Sequence, residues 1–272
     1  MNNEEIGAVL HLKVFVEKVR WRLKRRVGPF LLGKLNACLN LVGLQLVSKK
    51  RLLDYVLYPY SSYEDYRDTQ IRYNLKKISN VFADEKTLLR VAAIVNESKP
   101  NPVFGICHGS RNGFEQKTLS GLLNCQVIGT DISPTASEFE NSVCWDFHEV
   151  NESWKGSADF VYTNSLDQSW NPRAALETWL GQLSKDGVLI IEMTEGHGPT
   201  EASSMDPFGV KPTVFPYLLT QYFGSGVTIK HSVDEKYGAG SNRKAKNAWL
   251  FEIRNTQGSF DGGLNVGESD LG

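Results

Sequence analysis

Four short stretches of the sequence carry residues able to do chemistry, and each closes a run that reads as a β-strand. The first is Gly105-Ile106-Cys107-His108-Gly109-Ser110-Arg111-Asn112-Gly113. Its glycines let backbone approach a ligand closely, and the helix expected after it offers unpaired amides. A tight strand-to-helix turn would use the same residues. The second ends in Asp131-Ile132, about twenty residues beyond the glycine turn, a spacing at which a carboxylate accepts both hydroxyls of a ribose. Standing alone, Asp131 would serve equally as a helix cap. The third, Trp145-Asp146-Phe147-His148, offers a carboxylate for an adenine amino group and a phenylalanine for its backbone amide or ring face. The fourth contains Asn164 and Asp167.

A loop from Thr194 to Gly209 adds a candidate proton acceptor, His197, because neutral imidazole takes a proton near pH 7. Asp167 is the second candidate for that role. His197 would also serve simply to hydrogen-bond loop backbone. Glu192, Glu195, His197 and Asp206 are residue types that hold a divalent cation, but their spacing matches no compact metal motif, so no metal is expected. His11 and His231 have no chemical partner in the pattern.

These residues need elements to position them. From Pro100 onward short apolar runs alternate with helical ones: strands at Val103–Cys107, Gln126–Thr130, Ser142–Trp145, Asp159–Thr163, Val188–Met193, Val227–Val233 and Ala248–Arg254. Helices are expected at Gly113–Leu123, after Pro172, and at Phe215–Tyr222. The alternation implies parallel crossovers and a doubly wound α/β sheet. Upstream, periodicity predicts helices from Leu12 to Leu23, from Phe30 to Val47, from Tyr63 to Val81 and from Asp84 to Glu97, the last opened by a capping aspartate. The expected organisation is a helical region over 1–99, an α/β domain over 100–255 and a loose tail over 256–272.

Composition narrows the classes. Of 272 residues, 41% are hydrophobic and 22% charged, enough to bury a core and too apolar for wholesale disorder. The net charge of −1 hides an asymmetry: eleven basic residues against Glu17 alone between His11 and Arg51 give +10 there and leave −11 on the rest. That basic run lacks a nucleic-acid reader motif, so no nucleic acid is expected. It suits a cap over the sheet, a homodimer contact, or peripheral contact of residues 11–51 with an anionic membrane surface. The apolar stretch Val27–Val47 is broken by Pro29, Lys34, Asn36, Asn40 and three glycines, which argues against a spanning helix. Cys38, Cys107, Cys125 and Cys144 lie far apart, without a CxxC pair, and read as reduced thiols of a cytoplasmic protein.

On this ordered set of strand ends, Val103–Met193 resembles the class I S-adenosylmethionine-dependent methyltransferases. The resemblance implies a Rossmann-like, mostly parallel seven-stranded sheet and S-adenosyl-L-methionine as cofactor. It places the methionine part of that cofactor on Gly105, Cys107, His108 and Gly109, the ribose on Asp131 and Ile132, and adenine on Asp146 and Phe147, with Asn164 nearby. The family's glycine motif usually opens with an acid and has three alternating glycines; Gly105, Cys107, Gly109 and Arg111 stand at those places here. The missing acid is a usual anchor for the methionine amino group, for which Asp167 or a backbone carbonyl is a substitute. Leu35–Lys49 resembles N-terminal segments of proteins associated with bacterial surface-polysaccharide biosynthesis, which implies a small-molecule or glycan acceptor methylated on oxygen. Two other classes fit parts of the pattern: a binding or scaffold protein on the same fold, and a dehydrogenase, the latter weakened by the absence of GxGxxG.

Overall fold

The computed structural model describes residues 31, 33–46, 52–236 and 246–256. The chain forms two compact units, Met1–Leu52 and Leu53–Gly272, so the division falls well before the expected 99/100 boundary. The expected helix over Leu12–Leu23, most of the basic run and the tail beyond 256 lie outside the described residues.

In the first unit a helix spans 33–40. It was expected to reach Val47 but stops earlier, because Gly43 takes a left-handed φ of 74° and closes a Schellman motif. The Leu44 N–H donates to the Leu39 carbonyl at 3.0 Å and that of Gly43 to Asn40 at 3.2 Å. The Asn36 side chain then clips the following chain, accepting from the Leu46 N–H at 2.7 Å and donating to its carbonyl at 2.8 Å. Among the described residues no helix is long and apolar enough to cross a membrane.

The second unit runs β1 (Tyr55–Leu57), α1 (Tyr63–Lys76), α2 (Glu85–Ser98), β2 (Phe104–His108), α3 (Phe114–Leu123), β3 (Gln126–Asp131), β4 (Ser142–Cys144), β5 (Ala158–Thr163), α4 (Pro172–Gln182), β6 (Leu183–Thr194), β7 (Phe208–Val210), α5 (Phe215–Phe223), β8 (Val227–Lys236) and β9 (Lys246–Asn255). Seven strands form one sheet in the order β4-β3-β2-β5-β6-β9-β8. The first five are parallel, and β9 and β8 close the edge antiparallel. This is the expected doubly wound architecture, with strand order reversing direction between β2 and β5.

Alternation of side chains across the sheet produces two cores. On one face Val161, Leu189, Ile191 and Phe251 pack with Trp179, Leu180, Phe215 and Leu219 of α4 and α5. On the other, Phe160, Tyr162, Val188 and Ile190 pack with Leu88, Val91, Val95 and Leu119 of α2 and α3. Helix α2 shows why it forms: Leu88, Val91, Ala92 and Val95 repeat at helical spacing, and Asp84 caps it by accepting from the Thr87 N–H at 2.9 Å. Full burial of each large aliphatic contributes about 1.5–3 kcal/mol.

Three local expectations change. The turn expected before Val188 lies inside β6, where the register shifts from Ala158↔Leu183 to Phe160↔Val188. A Cβ on Gly187 would lie 2.7 Å from the Ala158 carbonyl oxygen, so only glycine permits that close passage. Helix α1 ends at Lys76 rather than Val81, as the Lys77 N–H turns back to the Asn74 carbonyl at 2.9 Å. A small antiparallel pair, β1 with β7, was not anticipated: three-residue strands carry too little periodicity to read.

Candidate active site

The carboxyl ends of β2, β3 and β5 meet helix α1 around a cleft open to solvent. From the strand ends come Gly109, Arg111, Asp131, Ile132, Asp146, Phe147 and Gln168; from α1 come Tyr66, Gln70, Tyr73 and Asn74, followed by Lys77; Met205 and Asp206 complete the wall.

The glycine turn is built for close approach. Gly109 has φ of 71°, and a Cβ there would lie 2.5 Å from the Ser165 side chain, so β2 and the turn after β5 touch only because this residue is glycine. Gly113 at φ 82° starts α3 without a side-chain cap. Arg111, also left-handed at φ 46°, aims its backbone N–H at Asp131 Oδ2, 3.2 Å away. Asp131 Oδ1 accepts from the Ser133 N–H at 2.9 Å. Burial raises the Asp131 carboxyl above the usual carboxylate range, against the lowering effect of these N–H donors and the Arg111 charge.

Asp146 sits in a relay. His148 Nδ1 and its backbone N–H donate to Asp146 Oδ1 at 2.6 and 2.9 Å, and the Tyr63 hydroxyl donates to Oδ2 at 2.8 Å. Imidazole that donates from Nδ1 accepts at Nε2, where the Ser169 hydroxyl lies 2.7 Å away. Burial pushes the Asp146 carboxyl up, but the His148 and Tyr63 bonds outweigh it and hold the group below its ordinary value. Three of about four acceptor sites on this carboxylate are therefore occupied, and about one is left for a ligand.

The residues next to Gln168 and Asp206 are held differently. Asp167, in the turn after β5, is 9% exposed; its Oδ2 stands 3.7 Å from His197 Nε2, and Oδ1 accepts no hydrogen bond from the protein. Asp206 is pushed up to about 6 by burial and by the Asp167 charge, with Lys77, His197 and Arg111 opposing. Gln70 Nε2 ties this loop to α1, donating to the Met205 carbonyl at 3.2 Å.

Of the residues singled out from sequence, Gly109, Asp131, Ile132, Asp146 and Phe147 line the cleft, and His197 pairs with Asp167. Cys107 and His108 do not reach it, because their side chains point into the sheet's two cores. Cys107 is packed among Leu119 and Phe160. His108 Nε2 donates to Gln182 Oε1 at 2.8 Å, its Nδ1 accepts from the Thr130 hydroxyl at 2.8 Å, and its ring stacks on Trp179. Burial lowers its pKa to about 4, so it is neutral. Gly105 lies within β2, where a Cβ would meet the Phe160 ring at 2.2 Å. Asn164 is outside the cleft wall, its Oδ1 accepting from the Ser165 hydroxyl at 3.2 Å.

Two of the four acidic and histidine candidates for a cation are engaged with protein partners. Glu192 is buried and accepts from the Tyr162 hydroxyl at 2.7 Å, and Glu195 accepts from Asn247 and Trp249 at 3.0 Å each. Among the described residues no group of three His, Cys, Asp or Glu could hold an ion. The wall that sequence reasoning missed is α1. Tyr66, Gln70, Tyr73, Asn74 and Lys77 repeat at helical spacing, a polar and aromatic stripe that signals a helix facing a wet cleft rather than a core.

No protein-family model and no curated protein sequence matches the chain. Solved structures do. The 1,6-didemethyltoxoflavin-N1-methyltransferase of Burkholderia thailandensis, with S-adenosylhomocysteine bound, is 13% identical, with 72% of this chain and 92% of that one covered and a TM-score of 0.53. The plantazolicin methyltransferase BpumL, with a substrate analogue and S-adenosylhomocysteine, is 14% identical over 71% and 98%, with a TM-score of 0.52. The N-methyltransferase NodS of Bradyrhizobium japonicum, with S-adenosylhomocysteine, is 13% identical over 70% and 100%, with a TM-score of 0.50. With its strand order, five parallel strands and antiparallel edge pair, the chain has the fold of the class I S-adenosylmethionine-dependent methyltransferases.

Proposed function

We propose that this protein transfers a methyl group from S-adenosylmethionine to an oxygen of a small molecule, a sugar or glycan hydroxyl being the class to test first. The observation that carries the reading is the pairing of His197 with Asp167, whose charge acts on Asp206, a residue that lines the cleft together with Asp131 and Asp146. The donor set suits the cofactor: a glycine turn free of side chain at Gly109, a buried carboxylate at the end of the second parallel strand, and a carboxylate with an acceptor site left at the end of the next.

S-adenosylmethionine, when bound, supplies a methyl group already activated on a sulfonium, open to in-line displacement. Asp131 would take the ribose hydroxyls on the lone pairs that its two N–H donors leave, and Asp146 with Phe147 would receive adenine. His197 would accept the acceptor's proton, and Asp167 Oδ2 would orient the imidazole and stabilise its charged form. Tyr66 and Gln70 of α1 would cover the cleft and exclude water.

A second reading, a binding or scaffold protein on this fold, is favoured by two departures: the Phe160 ring fills the space beside Gly105, and the Arg111 side chain occupies the cleft wall. Calorimetric titration with S-adenosylhomocysteine, followed by an acceptor screen of sugars and sugar nucleotides, separates the two. Saturable binding with turnover is the expected result. An absence of binding sinks the methyltransferase reading, and binding without turnover on any acceptor favours the scaffold.

A further inference from the structure

The first unit presents apolar side chains to solvent on an ordered turn. Leu41 is 86% exposed and Val42 70%, and Leu35, Leu44 and Leu46 are exposed as well. The turn is fixed in one conformation by the left-handed Gly43, by the Leu44 N–H on the Leu39 carbonyl and by the two bonds from the Asn36 side chain to Leu46. Exposed leucines scattered singly need no explanation. Five large apolar residues within twelve positions, held on one fixed turn, mark an interaction surface.

Charge selects the partner. The turn lies inside the run that carries eleven basic residues against Glu17 alone, and Lys49, Lys50 and Arg51 follow it in the sequence. A second copy would bring the same local charge of +10 against itself, and a nucleic acid would meet the charge but leave the leucines in water. An anionic lipid surface meets both: its headgroups take the basic side chains, and the boundary of its hydrocarbon takes the apolar ones. One anchoring signal alone gives only marginal membrane binding, whereas an apolar insertion joined to a polybasic segment holds. A turn already fixed by the Asn36 clip also loses little conformational freedom on insertion.

We propose that the turn at Leu41-Val42 inserts into the headgroup boundary of an anionic membrane, with the basic residues around it in the sequence held at the lipid phosphates. The inference is independent of the methyltransferase reading, since none of these residues lines the cleft. It assigns the basic run to one of the three roles open to it.

The test is sedimentation of the full chain with vesicles of phosphatidylcholine alone and of phosphatidylcholine mixed equally with phosphatidylglycerol. The wild type should bind the mixed vesicles about ten- to a hundred-fold more tightly, the range that a few lysines and arginines give at an anionic surface. Most of that preference should vanish at about 1 M salt, where the Debye length is about 3 Å. Leu41→Ser/Val42→Ser keeps every charge and should weaken binding to the mixed vesicles about tenfold or more. Both side chains are exposed, so the thermal melt of this variant should match the wild type. Lys49→Gln/Lys50→Gln/Arg51→Gln should instead narrow the preference for anionic vesicles. If the wild type ignores the vesicles, or if Leu41→Ser/Val42→Ser binds them as the wild type does, the proposal is overturned. A dimer in sedimentation equilibrium that the same double variant converts to monomer would assign the turn to a second copy and overturn it as well.

Discussion

The carboxylates that line the cleft and the one next to it stand in opposite conditions. On the side of β3 and β4, Asp131 and Asp146 are buried but furnished: backbone N–H groups, His148 and Tyr63 donate to them, and Asp146 is held below its ordinary pKa. On the side of β5 and the loop after β6, Asp167 keeps a bare oxygen and Asp206 is pushed up to about 6. The difference teaches how to read buried acids. A furnished carboxylate is preorganised and can add a ligand contact without rearrangement; an unfurnished one keeps an unmet requirement. In the proposed function the first set receives the invariant part of the ligand, and the second lies where charge and protons change.

That contrast can be broken by substitution. The largest effect is expected at the unfurnished side: His197→Ala should cut turnover about a hundred-fold or more, as loss of a general base does, while affinity for S-adenosylhomocysteine stays within about twofold. Equal loss of binding and turnover would place His197 in the ligand site instead. Asp131→Ala should show the reverse, weakening S-adenosylhomocysteine about ten- to a hundred-fold in a titration; unchanged affinity would remove Asp131 from the ribose role.

A smaller effect concerns Glu115, in the first turn of α3 behind the glycine turn. Burial pushes its carboxyl from 4.5 to about 7, with Glu192 adding to the rise and Arg111 opposing it. The folded protein then keeps this proton where the unfolded chain has lost it, so the contribution to stability is full below pH 4.5 and declines as pH rises to about 7. At pH 8, Glu115→Gln should raise stability by roughly 3 kcal/mol, the equivalent of the shift. Thermal melts of both proteins should converge near pH 4; a gap that does not depend on pH would show that packing, not the proton, sets the difference.

Much of the fold was legible because its signals are local and strong. Val188–Ile191 is an unbroken apolar run, as a strand buried on both faces must be, and Leu88, Val91 and Val95 mark α2 by spacing alone. Gly109, Asp131 and Asp146 were legible because strand ends on a parallel sheet all point to one edge. The missed features are those set by distant partners. Nothing near Tyr63 announces Asp146, 83 residues away. Cys107 and His108 sit in the glycine stretch, yet alternation turns one toward each core, a matter of the sheet's pleat and of what packs above it.

By itself the sequence determined the alternation of strands and helices, the order of carboxylates along the strand ends and the basic bias of residues 11–51, because periodicity, turn chemistry and charge are local properties. Only the tertiary structure decided which of those carboxylates are furnished with donors. Burial and hydrogen bonding depend on groups brought together from α1, the turn after β5 and the loop after β6, and those groups lie as far apart in the chain as Lys77 and Asp206.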